Sequence, residues 1–367
     1  MRLQINEEYL RDHLKRLLET PSPTGYTDHL AQSCALEMQS LGLQVEVTRS
    51  GAIRARLRAD SEAPARAVVA HVDTLGAQVK MLKDNGRLEI VPIGHWSARF
   101  AEGARCTIMS ENNATFRGSI LPLKASGHTF NEEIDTQPVA WSNVELRVDE
   151  PVSNRADLER IGIDIGDFVS IDAQPEFLDN GFIVSRHLDD KAGVAVMMAA
   201  AEALTREGIK PPVDTYFIFT IAEEVGHGAS SVLAPNIASM ITIDNGTTAP
   251  GQNSAEFGAT IAMADQVGPF NRRLTQKLVD LCRENDIPFQ KDVFRYYRSD
   301  SASALESGAD IRTALLAFGI DASHGYERIH MHALRSLAEL LTAYIISEPD
   351  LLREGAQIAR LRPATED

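Results

Sequence analysis

Hydrophobic and polar positions fall into two textures along the chain. From residue 1 to about 75 the pattern predicts helix, helix and three strands: "EEYLRDHLKRLLE", Asp28 to Leu41, "QVEVTR", "AIRARLR" and the apolar "RAVVAHVD". From about 181 to 347 it predicts "GFIVS" as strand, "DKAGVAVMMAAAEALTRE" as helix, "DTYFIFTIA" and "SMITIDN" as strands, "FNRRLTQKLVDLCREND" as helix, "DIRTALLAF" as strand and "HMHALRSLAELLTAYIIS" as helix. Strands apolar on both faces that alternate with long helices indicate a mixed, mostly parallel α/β sheet covered on both sides. Between them, from about 77 to 180, short alternating strands ("KMLKD", "RLEIV", "RCTIMS", "FRGSIL", "VELRV", "FVSID") are punctuated by Gly, Asn and Pro, with one short helix near Ser153 to Ile161. This middle stretch reads as a small β-rich domain, barrel or PDZ-like, inserted into a catalytic domain made of 1–76 and 181–367.

Charge narrows the partners. A formal net charge of −16 over 367 residues, without a Lys/Arg cluster, argues against nucleic acid and anionic membranes. No stretch approaches 18 uncharged apolar residues, and the N-terminal "MRLQINEEYLRDHLKRLLET" lacks the apolar core of a signal peptide. Cys34, Cys106 and Cys282 make no metal spacing and leave one thiol over in any disulfide scheme, so a reducing cytoplasm is the simplest expectation.

Ligand and catalytic groups in open α/β sheets gather at the carboxyl ends of strands. Five places there carry chemistry. In "VVAHVDTLG", His71 and Asp73 are two apart and share a face of an extended chain, so the Asp can steady the His; a buried histidine held by hydrogen bonds is the plainer alternative. In "RHLDDKAG", Asp189 and Asp190 open a helix, where capping accounts for one of them but not for both. In "IAEEVGHGAS", Glu223 and Glu224 place two mutually repelling charges where an apolar run ends. Asp244 ends "MITID" and could equally hold an Asx turn, and His324 follows the apolar "TALLAFGI". Together these supply two histidines and three or four carboxylates with no matching array of Lys or Arg. That donor mix suits zinc or another divalent transition metal, and the excess of acids suggests two ions bridged by one carboxylate.

In this order, "AHVDTLGAQVK", "HLDDKAG", "AEEVGHGAS", "ITIDN" and the late histidine resemble the dinuclear aminopeptidases of metallopeptidase family 42, the tetrahedral and glutamyl aminopeptidases. The likeness covers nearly the whole chain, including "VPIGHW" and "ERIGIDIGDFVSID" of the inserted domain. The resemblance implies a zinc-exopeptidase-like fold and two divalent ions per chain, zinc foremost, with cobalt or manganese as alternatives. It implies His71 and Asp244 as ligands of one ion, Glu224 and His324 of the other, and Asp189 between them. It further implies Glu223 as general base and then acid, Asp73 as the residue that orients His71, and a homo-oligomer, in the family a dodecamer built through the inserted domain. The expected reaction is removal of N-terminal residues from short peptides by a metal-bridging hydroxide.

Two departures stand out. "FGIDASHGYER" has Asp321-Ala322 before its histidine where the family usually has Arg-Tyr, and Asp190 replaces the more frequent Asn and adds charge beside the metals. Both leave room for a divergent branch: an amidohydrolase, deacylase or dipeptidase acting on blocked or amidated small peptides such as osmolyte dipeptides. A non-catalytic peptide-binding scaffold is the remaining alternative. The other histidines take plain roles: His330 and His332 as cap and surface groups at the last helix, His187 pointing away from its neighbour Asp189, His95 and His128 in loops, and His227 in a loop from which it could line a cleft.

Overall fold

The computed structural model describes residues 2–61 and 63–349. Its centre is a nine-stranded sheet with the order Gln44–Val47, Ile53–Leu57, Thr215–Thr220, Ala65–His71, Ile237–Thr247, Arg312–Ile320, Ala259–Asp265, Gly268–Pro269, with Phe289–Val293 also paired to Ala259–Asp265. The four middle strands, Thr215–Thr220, Ala65–His71, Ile237–Thr247 and Arg312–Ile320, are mutually parallel. Their carboxyl ends therefore open along one edge of the sheet, the edge where ligand sites form.

The apolar runs of these strands follow from burial on both faces. One face carries Val68, Ala70, Phe217, Phe219, Ile241, Ile243, Leu316 and Phe318, packed in one core with the helices Glu7–Glu19, Asp28–Ser40, Leu188–Arg206, Arg272–Glu284 and Met331–Ile346. The alternate residues Ala67, Val69, Tyr216, Ile218 and Met240 face a smaller core closed by Ala304 of the short helix Asp300–Glu306 and by Ala229, Val232 and Ala234. Long helices thus lie on one side and short elements on the other.

The inserted stretch is a closed antiparallel barrel, Gly76–Leu82, Arg87–Ile93, Val144–Val148, Thr115–Pro122, Arg105–Met109 and Phe168–Ile171, with its own core. Closure removes free edges, and the barrel alternative is the one realised rather than the PDZ-like one. The short helix there is Arg155–Ile161, capped by the Asn154 side chain, which accepts the N–H of Asp157.

Three expectations change. "GFIVS" does not join the main sheet; Phe182–Ser185 pairs with Glu176–Phe177 and Glu327–His330 in a separate three-stranded sheet. Asp244 does not end its strand, which runs on to Thr247 because it keeps parallel pairing with Arg312–Ile320. The strands Ala259–Asp265 and Phe289–Val293 and the helix Asp300–Glu306 were not anticipated.

Candidate functional site

Six of the eight singled-out carboxylates and histidines meet at the carboxyl edge of the sheet, where the middle strands and the start of one helix converge. His71 closes Ala65–His71, Asp244 lies late in Ile237–Thr247, Glu223 and Glu224 follow Thr215–Thr220, and His324 follows Arg312–Ile320. Asp189 reaches in from the start of Leu188–Arg206, where Asp189 and Asp190 depart from helical geometry and are joined by a cis peptide bond.

Asp189 is the hub. Its Oδ1 lies 3.2 Å from His71 Nε2, and its Oδ2 lies 3.3 Å from His324 Nε2. Each imidazole is oriented from behind by a carbonyl oxygen, which can only accept. His71 Nδ1 sits 2.9 Å from the Asp73 carbonyl, and His324 Nδ1 sits 2.9 Å from the His95 carbonyl. Both Nδ1 atoms therefore carry protons, and both Nε2 atoms are turned toward carboxylate oxygen, an arrangement satisfied by a proton or a cation in between. Potential ligand atoms of His71, Asp189 and Asp244 lie within 4.8 Å of one another, as do those of Asp189, Glu224 and His324. The two groups of three share Asp189, and imidazole nitrogen with carboxylate oxygen is the donor set of borderline divalent ions.

The electrostatics carry the same demand for positive charge. Burial pushes the Glu224 carboxyl well up, and the nearby Asp189 charge adds to it; burial and Asp189 together raise Asp244 to about 7. Burial would lower the His324 imidazolium, but its bond to Asp189 and the Glu224 charge outweigh this and raise it to about 10. His71 is likewise raised, against its burial, by Asp189 and Asp73. Asp189 is lowered despite burial, because both imidazoles bond to it.

Glu223 stands apart from both groups of three. Its Oε2 is 3.9 Å from His71 Nε2, and its side chain is 16% exposed against 4% for Glu224. Burial, with Asp244 and Asp300 nearby, holds its carboxyl well above the ordinary range although His71 opposes the shift. The doublet is organised by Asp73, whose Oδ1 accepts the Glu223 N–H at 3.1 Å and whose Oδ2 accepts the Glu224 N–H at 3.3 Å and the Thr24 hydroxyl at 2.7 Å. Gly226, at φ 83°, completes the turn that lets neighbouring residues face one site. The Asp73 carboxylate also approaches His71 Nδ1, at 3.5 Å, but the hydrogen bond to the ring comes from the Asp73 backbone.

Neither aspartate of the doublet caps its helix. Asp190 Oδ2 accepts the His71 N–H at 3.1 Å, and the carboxylate lies over Gly193, where an added Cβ would come within 2.2 Å of Oδ1. Burial and the Asp244 charge raise the Asp190 carboxyl well above the usual range, so the expected extra charge beside the metals is opposed at its source.

Several contributors were not singled out from the sequence. Asn245 Nδ2 donates to Asp189 Oδ2 at 2.7 Å and to Asp244 Oδ1 at 3.2 Å. Glu327 accepts the N–H of His324 at 2.9 Å and of Asp189 at 3.2 Å, locking the two segments together. Tyr297 brings a buried hydroxyl up to Asp244, outside hydrogen-bonding geometry. Asn245 and Glu327 lie one and three residues from Asp244 and His324, and that adjacency is the signal that could have found them; nothing local marks Tyr297. His330 caps Met331–Ile346 by accepting the His332 N–H, and His227 is exposed. His187 directs Nε2 to the Ile171 carbonyl at 2.9 Å, away from Asp189, while its ring borders the cleft.

The chain is similar to known aminopeptidases in sequence and in fold. The family model described as M42 glutamyl aminopeptidase matches residues 51–340. A putative aminopeptidase of Bacillus subtilis, YhfE, is 36% identical over 334 residues, which are 91% of this chain and 96% of that protein. Among solved structures, the aminopeptidase APDkam598 from the archaeon Desulfurococcus kamchatkensis superposes with a TM-score of 0.83 at 22% identity, covering 93% of this chain and 95% of the other. The Pyrococcus horikoshii TET1 peptidase, described as assembling into a tetrahedron or a large octahedral shell, gives 0.82 at 21% identity, covering 92% and 100%. The chain belongs to the M42 glutamyl aminopeptidase family and is a metal-dependent exopeptidase that hydrolyses peptide bonds.

Proposed function

We propose that this aminopeptidase holds two divalent cations, one by His71 and Asp244, the other by Glu224 and His324, with Asp189 shared, and that it removes N-terminal residues from short peptides. The observation that carries the reading is the pair of ligand groups meeting at one carboxylate while Glu223 lies outside both. The residues suit such ions: the donors are mixed nitrogen and oxygen, and both imidazoles already present Nε2 to the shared acid. When bound, the cations supply Lewis acidity toward the scissile carbonyl and acidify a water. Zinc is the leading candidate, with cobalt or manganese able to use the same donors.

Glu223 then has the remaining work. Its raised carboxyl and partial exposure suit a group that takes a proton from the attacking water and returns it to the leaving amine. Asp73 fixes the backbone from which Glu223 and Glu224 project, so it is a positioning residue. Leu75, Trp96 and Ile171, from the edges of the barrel, line the cleft beside Glu224 and His324. The barrel thereby borders substrate entry, and we assign it the oligomer contacts of a shell like that described for TET1. Three buried free thiols fit a reducing cytoplasm, and among the described residues no helix is long and apolar enough to cross a membrane.

The test is a dipeptide amide assayed against its N-acetylated form. Hydrolysis of the free-amine substrate supports the reading; hydrolysis of the acetylated form alone would overturn it in favour of a deacylase.

A further inference from the structure

The cleft at the metal centre is lined by acids, by imidazoles and by one permanent cation, Arg186. Arg186 lies in the short connection between the strand Phe182–Ser185 and the helix that brings in Asp189. Its backbone is pinned: the N–H donates to the Ala173 carbonyl at 3.0 Å, and its own carbonyl accepts the Ser185 hydroxyl at 2.8 Å. The guanidinium is half-buried and sits over the Tyr326 ring, 5.9 Å from its centroid. Tyr326 is itself anchored, its hydroxyl donating to the Gln174 carbonyl at 2.6 Å.

What this guanidinium lacks is an acceptor. Among the described residues it makes no hydrogen bond or ion pair; the acid that acts on its charge is Glu327. Both Glu327 oxygens are already engaged by the N–H groups of His324 and Asp189. An arginine partly withdrawn from water normally fills its planar fork with a carboxylate or phosphate. Arg186 lines this cleft, and among the described residues no protein group fills its fork.

We infer that Arg186 is a specificity-determining residue that binds a carboxylate of the substrate. The inference rests on the aminopeptidase reading and adds to it the substrate's chemistry. In a peptide, that carboxylate comes from one of two sources: the side chain of an acidic N-terminal residue, or the free C-terminus of a dipeptide.

Matched pairs test it and separate the sources. Glutamyl amide against glutaminyl amide reports on the side chain, and leucyl-glycine against leucyl-glycinamide reports on the C-terminus. The metal-loaded protein is expected to favour the carboxylate member of one pair in kcat/KM, and Arg186→Met is expected to lower that ratio roughly 10–100-fold, toward one, the size of a lost charged hydrogen bond. Arg186→Lys, which keeps the charge but not the fork, should retain part of the preference. A wild-type ratio near one in both pairs, or a ratio unchanged in Arg186→Met, overturns the assignment. The same pairs titrated calorimetrically need no turnover. Arg186-dependent binding of the carboxylate member without hydrolysis would refute the aminopeptidase reading and leave the role of Arg186 standing.

Discussion

Asp73 Oδ1 accepts the backbone N–H of Glu223 at 3.1 Å, tying the strand that ends in His71 to the turn that presents the proposed base. The partner oxygen does the same for Glu224. Three jobs meet in one residue: its carbonyl orients His71 and its carboxylate sets both glutamates. Asp73→Ala is therefore expected to lower turnover by roughly 10–100-fold, the usual effect of removing a group that orients metal ligands. Steady-state kinetics alongside metal analysis would check this, and unchanged turnover would remove Asp73 from the positioning role.

Gly193 gives a stability prediction in which two effects compete. Alanine is a better helix former than glycine by about 1 kcal/mol. Its Cβ, however, would lie 2.2 Å from Asp190 Oδ1, in a fully buried position that cannot relax cheaply. The clash should win, and Gly193→Ala should lose about 1–3 kcal/mol in denaturant unfolding, the range for overpacking. A stabilised variant would mean that Asp190 does not hold the place described.

Protons and metal compete for the same atoms, and the sign is fixed by the direction of the shifts. In metal-free protein His324 is raised to about 10 and Asp244 to about 7, so at about pH 6.5 both keep protons that their ordinary values would release or half-release. Cation binding must displace them. Affinity should therefore fall as pH drops from about 8 to about 6, and calorimetry in two buffers of different ionisation enthalpy should show net proton release at about pH 6.5. Proton release near zero would contradict the proposed ligands.

Much of this site was legible before any coordinates, because polar residues at the ends of apolar runs are conspicuous. His71, Asp189, Glu224, Asp244 and His324 all lie where such runs end or where a helix begins. The helix Glu7–Glu19 was also legible, its apolar spacing and acidic first turn leaving little choice. What stayed hidden depends on partners distant in sequence. "GFIVS" looked like a strand of the main sheet because local texture does not say which strand it will pair with, and its partner Glu327–His330 lies over 140 residues away, as the bond of Tyr326 to Glu176 at a separation of 150 illustrates. Asp190 reads in the sequence as added charge beside the metals, and its bond to the His71 N–H depends on a strand more than a hundred residues away. Arg186 and Tyr297 gave no signal at all, since an arginine or tyrosine in a loop is ordinary until the cleft around it exists.

Division of labour within Glu223–Glu224 is the central claim, and metal analysis paired with kinetics on two single variants tests it most directly. Wild-type protein purified without chelator should carry about two divalent ions per chain. Glu223→Gln should keep them while turnover drops by roughly 10²–10⁴-fold, and Glu224→Gln should lose about one of them. Glu223→Gln that turns over at the wild-type rate, or that loses an ion as Glu224→Gln does, would contradict the account.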